Sequence, residues 1–333
     1  MPPANSAERP PIVAPLIGAA PAPAPAPAPG PAPGPAPAPA PRPLPLNLLG
    51  GAGNDVLVGD NSSNNSSGGD GNDRLLATAG SDSISGGAGI DTLDYSGLNA
   101  DITLSRGGVI SKSGGLGTDT IASFDVEVIQ ANPNRRNVID GSTGTTATMT
   151  VDLSKESLTI NNLPFVGSAS LVVKGFQDVV GSENADSITG SNLANNLNGG
   201  GGNDLLRGLG GGDILTGGAG SDTFAFGMGD SLLSGFDRIT DLVIGTDVID
   251  GWSAVVKVSQ LGRVASLDLA EVGNLLNGRN FSANDAVTFS LGAGSNNRTF
   301  LALNDGQAGF QGGSDGIIEI TGFSGDLSRL TVV

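Results

Sequence analysis

Residues 199–225 read GGGGNDLLRGLGGGDILTGGAGSDTFA, three consecutive nine-residue units that begin at Gly199, Gly208 and Gly217. Their common pattern is G-G-x-G-x-D-x-U-x, where U is a large apolar residue. Working outward, units at Gly181 and Gly190 extend this run to five. A separate run of five begins at Gly50, Gly59, Gly68, Ala77 and Gly86. The sixth position carries Asp55, Asn64, Asp73, Asp82 and Asp91 in the first run, then Asp186, Asn195, Asp204, Asp213 and Asp222 in the second. The eighth carries Leu57, Leu75, Ile84, Leu93, Ile188, Leu197, Leu206, Leu215 and Phe224.

Each position has a physical task. Glycines before the acid permit positive φ and close packing, so a turn can aim its carbonyl oxygens inward. A carboxylate among carbonyls suits a hard cation that takes six to eight oxygens, and calcium is that cation. The apolar residue two places on ends up on the inner face of a short strand. One unit makes a turn and a strand, so two complete a coil of 18 residues, and turns on one side recur every second unit. The paired ligands are then Asp55 with Asp73, Asp73 with Asp91, Asp186 with Asp204, and Asp204 with Asp222. On the other side Asn64 pairs with Asp82 and Asn195 with Asp213, which makes up to six calcium sites. Counting phased units alone, Asp73 and Asp204 are internal to their rows, whereas Asp55 and Asp222 end them.

The two runs resemble the RTX, or haemolysin-type calcium-binding, repeats of proteins exported by bacterial type I secretion. That resemblance implies a parallel β-roll over residues 50–94 and 181–225. Some units depart from it. GDNSSNNSS at 59–67 has Ser62 at the third-glycine position and Ser66 at the apolar one. ATAGSDSIS at 77–85 lacks the leading glycine pair, and GSENADSIT and GSNLANNLN place Asn184 and Leu193 at the third-glycine position. GGAGSDTFAFG followed by DRITDLVIGTD resembles the end of serralysin-type rolls. The segment from residue 298 onward resembles the C-terminal bluetail domain of cyanobacterial surface proteins, which implies a location and not an activity.

Magnitudes make calcium a folding switch. Carboxylates about 4.8 Å apart along a stack repel by roughly 1–3 kcal/mol per pair. Extracellular modules bind calcium with Kd of roughly 10⁻⁴–10⁻³ M, so each filled site adds about 1.4–2.7 kcal/mol at ~10 mM calcium. Six such sites match a typical domain stability of about 5–15 kcal/mol. In cytosol that contribution vanishes.

Composition narrows the function classes. The chain has 333 residues, 16 basic and 33 acidic, a formal charge of −17, no cysteine and no histidine. An acidic balance argues against nucleic acid or an anionic membrane as partner. Absent histidine removes His-ligated zinc, the serine triad and the commonest general base. No apolar run reaches 18 residues, so no transmembrane segment is expected. The acidic, apolar-ended tail ITGFSGDLSRLTVV is compatible with an uncleaved C-terminal type I signal.

The expected fold is all-β: two parallel β-roll blocks with intervening β structure, a disordered Pro/Ala-rich N-terminus, and a β-rich C-terminal domain with one short helix. Residues 1–46 hold 18 of the 20 prolines and read as a polyproline II spacer. The first block spans 47–97. Residues 98–180 alternate apolar and polar residues in short strands, with Val109, Ile121, Phe124, Val138 and Ile139 as further inward candidates, and read as β structure that joins the rolls and can continue their stack. Asp119 and Asp140, out of phase, read as solvated. The second block spans 181–227 and a C-terminal domain 228–333. In the latter a helix is expected over 267–277, with Ser266 as N-cap, one face formed by Leu269, Val272, Leu275 and Leu276, and Gly278 past its end. Asn304, Asp305 and Asp315 crowd a Gly-rich loop between two strands that reads as a hairpin turn, with one more cation site as the alternative.

The functional expectation is a secreted or cell-surface calcium-binding protein, non-enzymatic, that folds after passing a type I secretion transporter. A calcium-dependent adhesin for glycan or a surface layer, and an enzyme on polysaccharide with accessory repeats, are the alternatives.

Overall fold

The computed structural model describes residues 45–122, 125–143, 146–163, 167–252, 258–279, 281–292 and 297–333. Most of the proline-rich spacer and the inward candidate Phe124 lie outside them.

From Leu46 the chain winds between two facing sheets, of fifteen and eleven strands, and the strands of both nonapeptide runs pair in parallel. The step is the expected one. In the smaller sheet Leu57 pairs with Leu75 and Leu75 with Leu93, then Ile188 with Leu206 and Leu206 with Phe224. In the larger, Leu197 pairs with Leu215. Three-residue strands such as Leu205–Arg207 bury only the middle residue. Ile188, Leu206 and Phe224 are fully buried, one above another, in a core one side chain thick on each face. Truncating a rung leaves a hole that parallel neighbours cannot fill. Leu206→Ala is therefore expected to destabilise the calcium-loaded protein by about 2–5 kcal/mol, read from urea unfolding in calcium.

Residues between the two runs do not separate them. Each sheet takes in a three-stranded antiparallel meander: Ile102–Ser105, Val109–Lys112 and Gly117–Ile121 in the larger, Thr148–Asp152, Ser157–Leu163 and Gly167–Lys174 in the smaller. A three-strand meander reverses direction twice, so its outer strands stay parallel to the roll on both flanks. The core runs through without a break, so the intervening β structure joins the two blocks in one stack. Ile121 and Ile139 face inward as expected, whereas Val109 and Val138 are half-buried and Ile110 takes the inner place.

Beyond Phe226, Asp237–Ile239 and Val248–Asp250 add a last strand to each sheet of the roll. Gly316–Glu319 then pairs with Asp237–Ile239 and leads into strands Arg298–Leu303, Ala286–Leu291 and Ser259–Val264. The one α-helix among the described residues, Leu269–Asn277, packs Val272 and Leu276 onto that sheet. Its N-cap is Asp268, whose carboxylate accepts from the Glu271 amide at 2.8 Å; Ser266 only bonds the Asp268 side chain. An acidic cap outcompetes the serine because it also opposes the helix dipole. Leu269 is 60% exposed, so the apolar face is narrower than its leucines suggest. In the loop after Leu303, Asp315 accepts from the amides of Asp305 (2.8 Å) and Gln311 (2.6 Å), which ties the turn to itself.

Candidate metal centre

Sixth-position residues line two edges of the roll, where the turns meet the strands. In each pair anticipated from the 18-residue coil, a backbone amide donates to Oδ1 of the side chain one coil on. The bonds run from Asp55 to Asp73 (2.8 Å), Asp73 to Asp91 (2.7 Å), Asp186 to Asp204 (2.8 Å) and Asp204 to Asp222 (3.0 Å). On the opposite edge they run from Asn64 to Asp82 (2.8 Å) and Asn195 to Asp213 (2.8 Å). Oδ1 is thus spent on the ladder, which orients the carboxylate and leaves the other oxygen for a ligand.

That other oxygen separates the ten positions. Oδ2 of Asp55, Asp73, Asp91, Asp204 and Asp213 is buried without a hydrogen-bond partner. A buried ionised oxygen without a partner is costly. The space before it is kept by the leading glycine: a methyl group on Gly68 would overlap both Asp73 Oδ2 and the Gly86 carbonyl one coil on, and Gly199 stands likewise to Asp204 and Gly217. Gly69 and Gly71, with φ of 108° and 128°, turn the intervening peptides as only glycine does easily. Carboxylate and carbonyl oxygens from successive coils therefore converge on one glycine-lined cradle. The donor set, oxygen throughout and anionic at the carboxylates, fits calcium.

Four of the other positions are engaged by the protein itself. Asp186 accepts from the Met149 amide (2.6 Å) through Oδ1 and from the Ser182 amide (2.5 Å) through Oδ2. Asn195 accepts from the Ser191 amide (2.7 Å) and donates to the Gln177 carbonyl (2.6 Å). Asn64 donates to the carbonyls of Asp60 (3.0 Å) and Ser62 (2.6 Å), and Asp82 lies 3.6 Å from the Lys112 ammonium.

The rows run further than the nonapeptides. The Asp91 amide donates to Glu127 Oε2 (2.8 Å), Asp222 to Asp247 (3.1 Å), Asp213 to Asp237 (2.9 Å) and Asp82 to Asp119 (3.0 Å). Asp222 is therefore internal to its row and not its end. Asp119, expected to be solvated, is fully buried, because the meander carries it into the row beside Asp82. Asp140 is half-buried and accepts from the Ser142 amide at 2.9 Å. A shared signal marks the four added acids: Glu127-Val-Ile129, Asp247-Val-Ile249, Asp237-Arg-Ile239 and Asp119-Thr-Ile121 keep the acid-x-apolar spacing of positions six to eight after the nine-residue phase is lost.

Crowding of carboxylates shows in their proton affinity. Burial, with the charges of Asp186 and Asp222, pushes Asp204 up to about 7. Burial and the Asp230 charge raise Asp213 to about 6, and burial with Asp213 and Asp230 raises Asp237 to about 8. Asp91 and Asp222 move the same way, chiefly through burial. Without metal these rows hold more negative charge than the fold accommodates.

Comparison with known proteins agrees with this reading. The model of the RTX calcium-binding nonapeptide repeat matches residues 47–75 and 67–99, and that of the Peptidase M10 serralysin C-terminal region matches 167–291. No curated protein matches the chain. Among solved structures, the extracellular lipase LipA from Serratia marcescens aligns at 15% identity with a TM-score of 0.23, covering 86% of this chain and 40% of that one. The chain thus spans well under half of the lipase's length. With the two family matches added to the phased residues and the glycine cradles, the chain carries RTX repeats, and these indicate calcium binding.

Proposed function

We propose that the chain is an extracellular or cell-surface protein without catalytic activity, whose roll folds after export through a type I transporter and whose outer faces hold a glycan or surface layer. The supporting observation is the row of buried Oδ2 atoms without partners. Such a row is repulsive at cytosolic calcium and relieved at millimolar calcium, so it couples folding to the outside of the cell. The formal charge of −17 favours the same setting, since each calcium ion bound offsets two of those charges. No helix among the described residues is long and apolar enough to cross a membrane.

Export and retention are tested together in a host with a compatible type I transporter. The full chain and a chain lacking residues 1–46 are expected in the medium or on the cell, and a chain ended before Phe281 inside it. Surface-held protein should bind cell-wall polysaccharide and leave it on chelation. Export of the shortened chain would overturn the route. Turnover of the polysaccharide would replace the binding role with an enzymatic one.

A further inference from the structure

We infer that Lys112 is a built-in cation for the Asn64, Asp82 and Asp119 row, its ammonium taking the place that calcium takes in the neighbouring rows. This rests on the calcium reading of those rows. The Lys112 side chain is fully buried and ends 2.5 Å from Asp119 Oδ1, 2.8 Å from the Thr78 carbonyl and 3.6 Å from Asp82 Oδ2. Two carboxylates from successive coils and a turn carbonyl are the oxygen types a calcium ion would gather there. The ammonium donates to two of these oxygens and forms an ion pair with the third.

The contrast with the opposite edge carries the inference. Asp55, Asp73 and Asp91 in the same three coils each keep a buried Oδ2 without a partner, whereas Asp82 and Asp119 do not. Asp119 Oδ2 accepts from the Tyr95 hydroxyl at 2.7 Å, and Tyr95 is held protonated by burial and by the Asp119 charge. At the row's other end the Asn64 amide group donates to two carbonyls of its own turn, where an aspartate would repel them. Protein donors thus close the row from end to end. The lysine reaches it because Val109–Lys112 pairs with Gly117–Ile121, and Gly117 stacks its turn directly on Gly80. One of the two edges in the first run is therefore assembled without metal.

Two measurements on the full chain test this. Lys112→Met is expected to bind one more calcium per chain than the wild type in equilibrium dialysis, and to lose thermal stability in chelator that calcium restores. An unchanged stoichiometry overturns the proposal. Should that variant not fold, hydrogen exchange of the wild type decides. Between chelator and about 10 mM calcium the Asp204 amide should gain roughly tenfold to hundredfold protection, and the Asp82 amide less than about threefold. Equal gains at both amides overturn the role of Lys112 and leave calcium binding standing. No gain at either overturns calcium binding, and this proposal with it.

Discussion

Metal-free protein at pH 8 is expected to lose part of the β signal of its roll, chiefly around the Asp204 row, to regain it cooperatively as calcium rises from about 0.1 to 10 mM, and to regain some of it without calcium when the pH falls to about 5. The first half follows from the buried carboxylates without partners. The second follows from Asp204, Asp213 and Asp237, held at about 7, 6 and 8 in the folded chain, against about 3.9 for an unfolded aspartate. At pH 5 the folded state keeps these protons while the unfolded state has mostly released them, so acid favours folding. That contribution is full below about pH 4 and is lost as the pH rises through 6 to 8. Calcium should bind more weakly in acid for the same reason, since it competes with protons. Below about pH 4 other carboxylates lose their partners, among them Asp94 and Glu319, both held low by hydrogen bonds that outweigh burial. Metal-free stability should therefore peak near pH 5. Circular dichroism across pH 4–8 in chelator and in calcium checks both halves, and spectra unaffected by calcium at pH 8 would contradict them. Magnesium should replace calcium poorly, because it keeps its waters and demands octahedral geometry.

Substituting Asp204→Asn should produce opposite changes in the two states. The amide oxygen can still accept from Asp186, so the ladder bond survives. The buried charge is gone. In chelator at pH 8 the variant should be more stable than the wild type, because a carboxylate flanked by Asp186 and Asp222 no longer has to ionise. In about 10 mM calcium it should be less stable by roughly 1–3 kcal/mol, the contribution of the site that its free Oδ2 serves. Asn195→Ala should behave differently. Its side chain serves the Ser191 amide and the Gln177 carbonyl, so the loss should be nearly equal with and without calcium. Thermal unfolding of both variants in the two conditions separates a ligand from a strut. A loss for Asp204→Asn that is the same in chelator and calcium would remove Asp204 from the metal centre.

How much was legible in the sequence depends on how local the physics is. The 18-residue coil, its inward leucines and all six carboxylate or amide pairs follow from a nine-residue phase, because turn geometry and strand length repeat with it. That residues 98–180 carry the stack onward was legible in their alternation, but the antiparallel meanders that do it were not, since the strands flanking them pair across up to about 44 residues, such as Ile129 with Val173. The reading of Asp119 as solvated failed for this reason. The four added acids were within reach, because acid-x-apolar is a spacing set by one turn and one strand and survives without the glycines. Lys112 gave no signal at all: its role exists only where Asp82 and Asp119 have been brought together.

The first coil bears on how copies of this protein can meet. Leu46–Ala52 and Val56–Val58 are the outermost strands of the two sheets, and Leu49, Val56 and Val58 are 79%, 63% and 54% exposed. The opposite end finishes in antiparallel strands, a helix and the terminal residues Val332 and Val333 laid along Val248–Asp250. A second copy that added strands to the first coil would find no coil of matching step at the far end. Among the described residues its one matching partner is another first coil. Pairing of two such coils would be twofold and would close after two chains, as a dimer and not a filament.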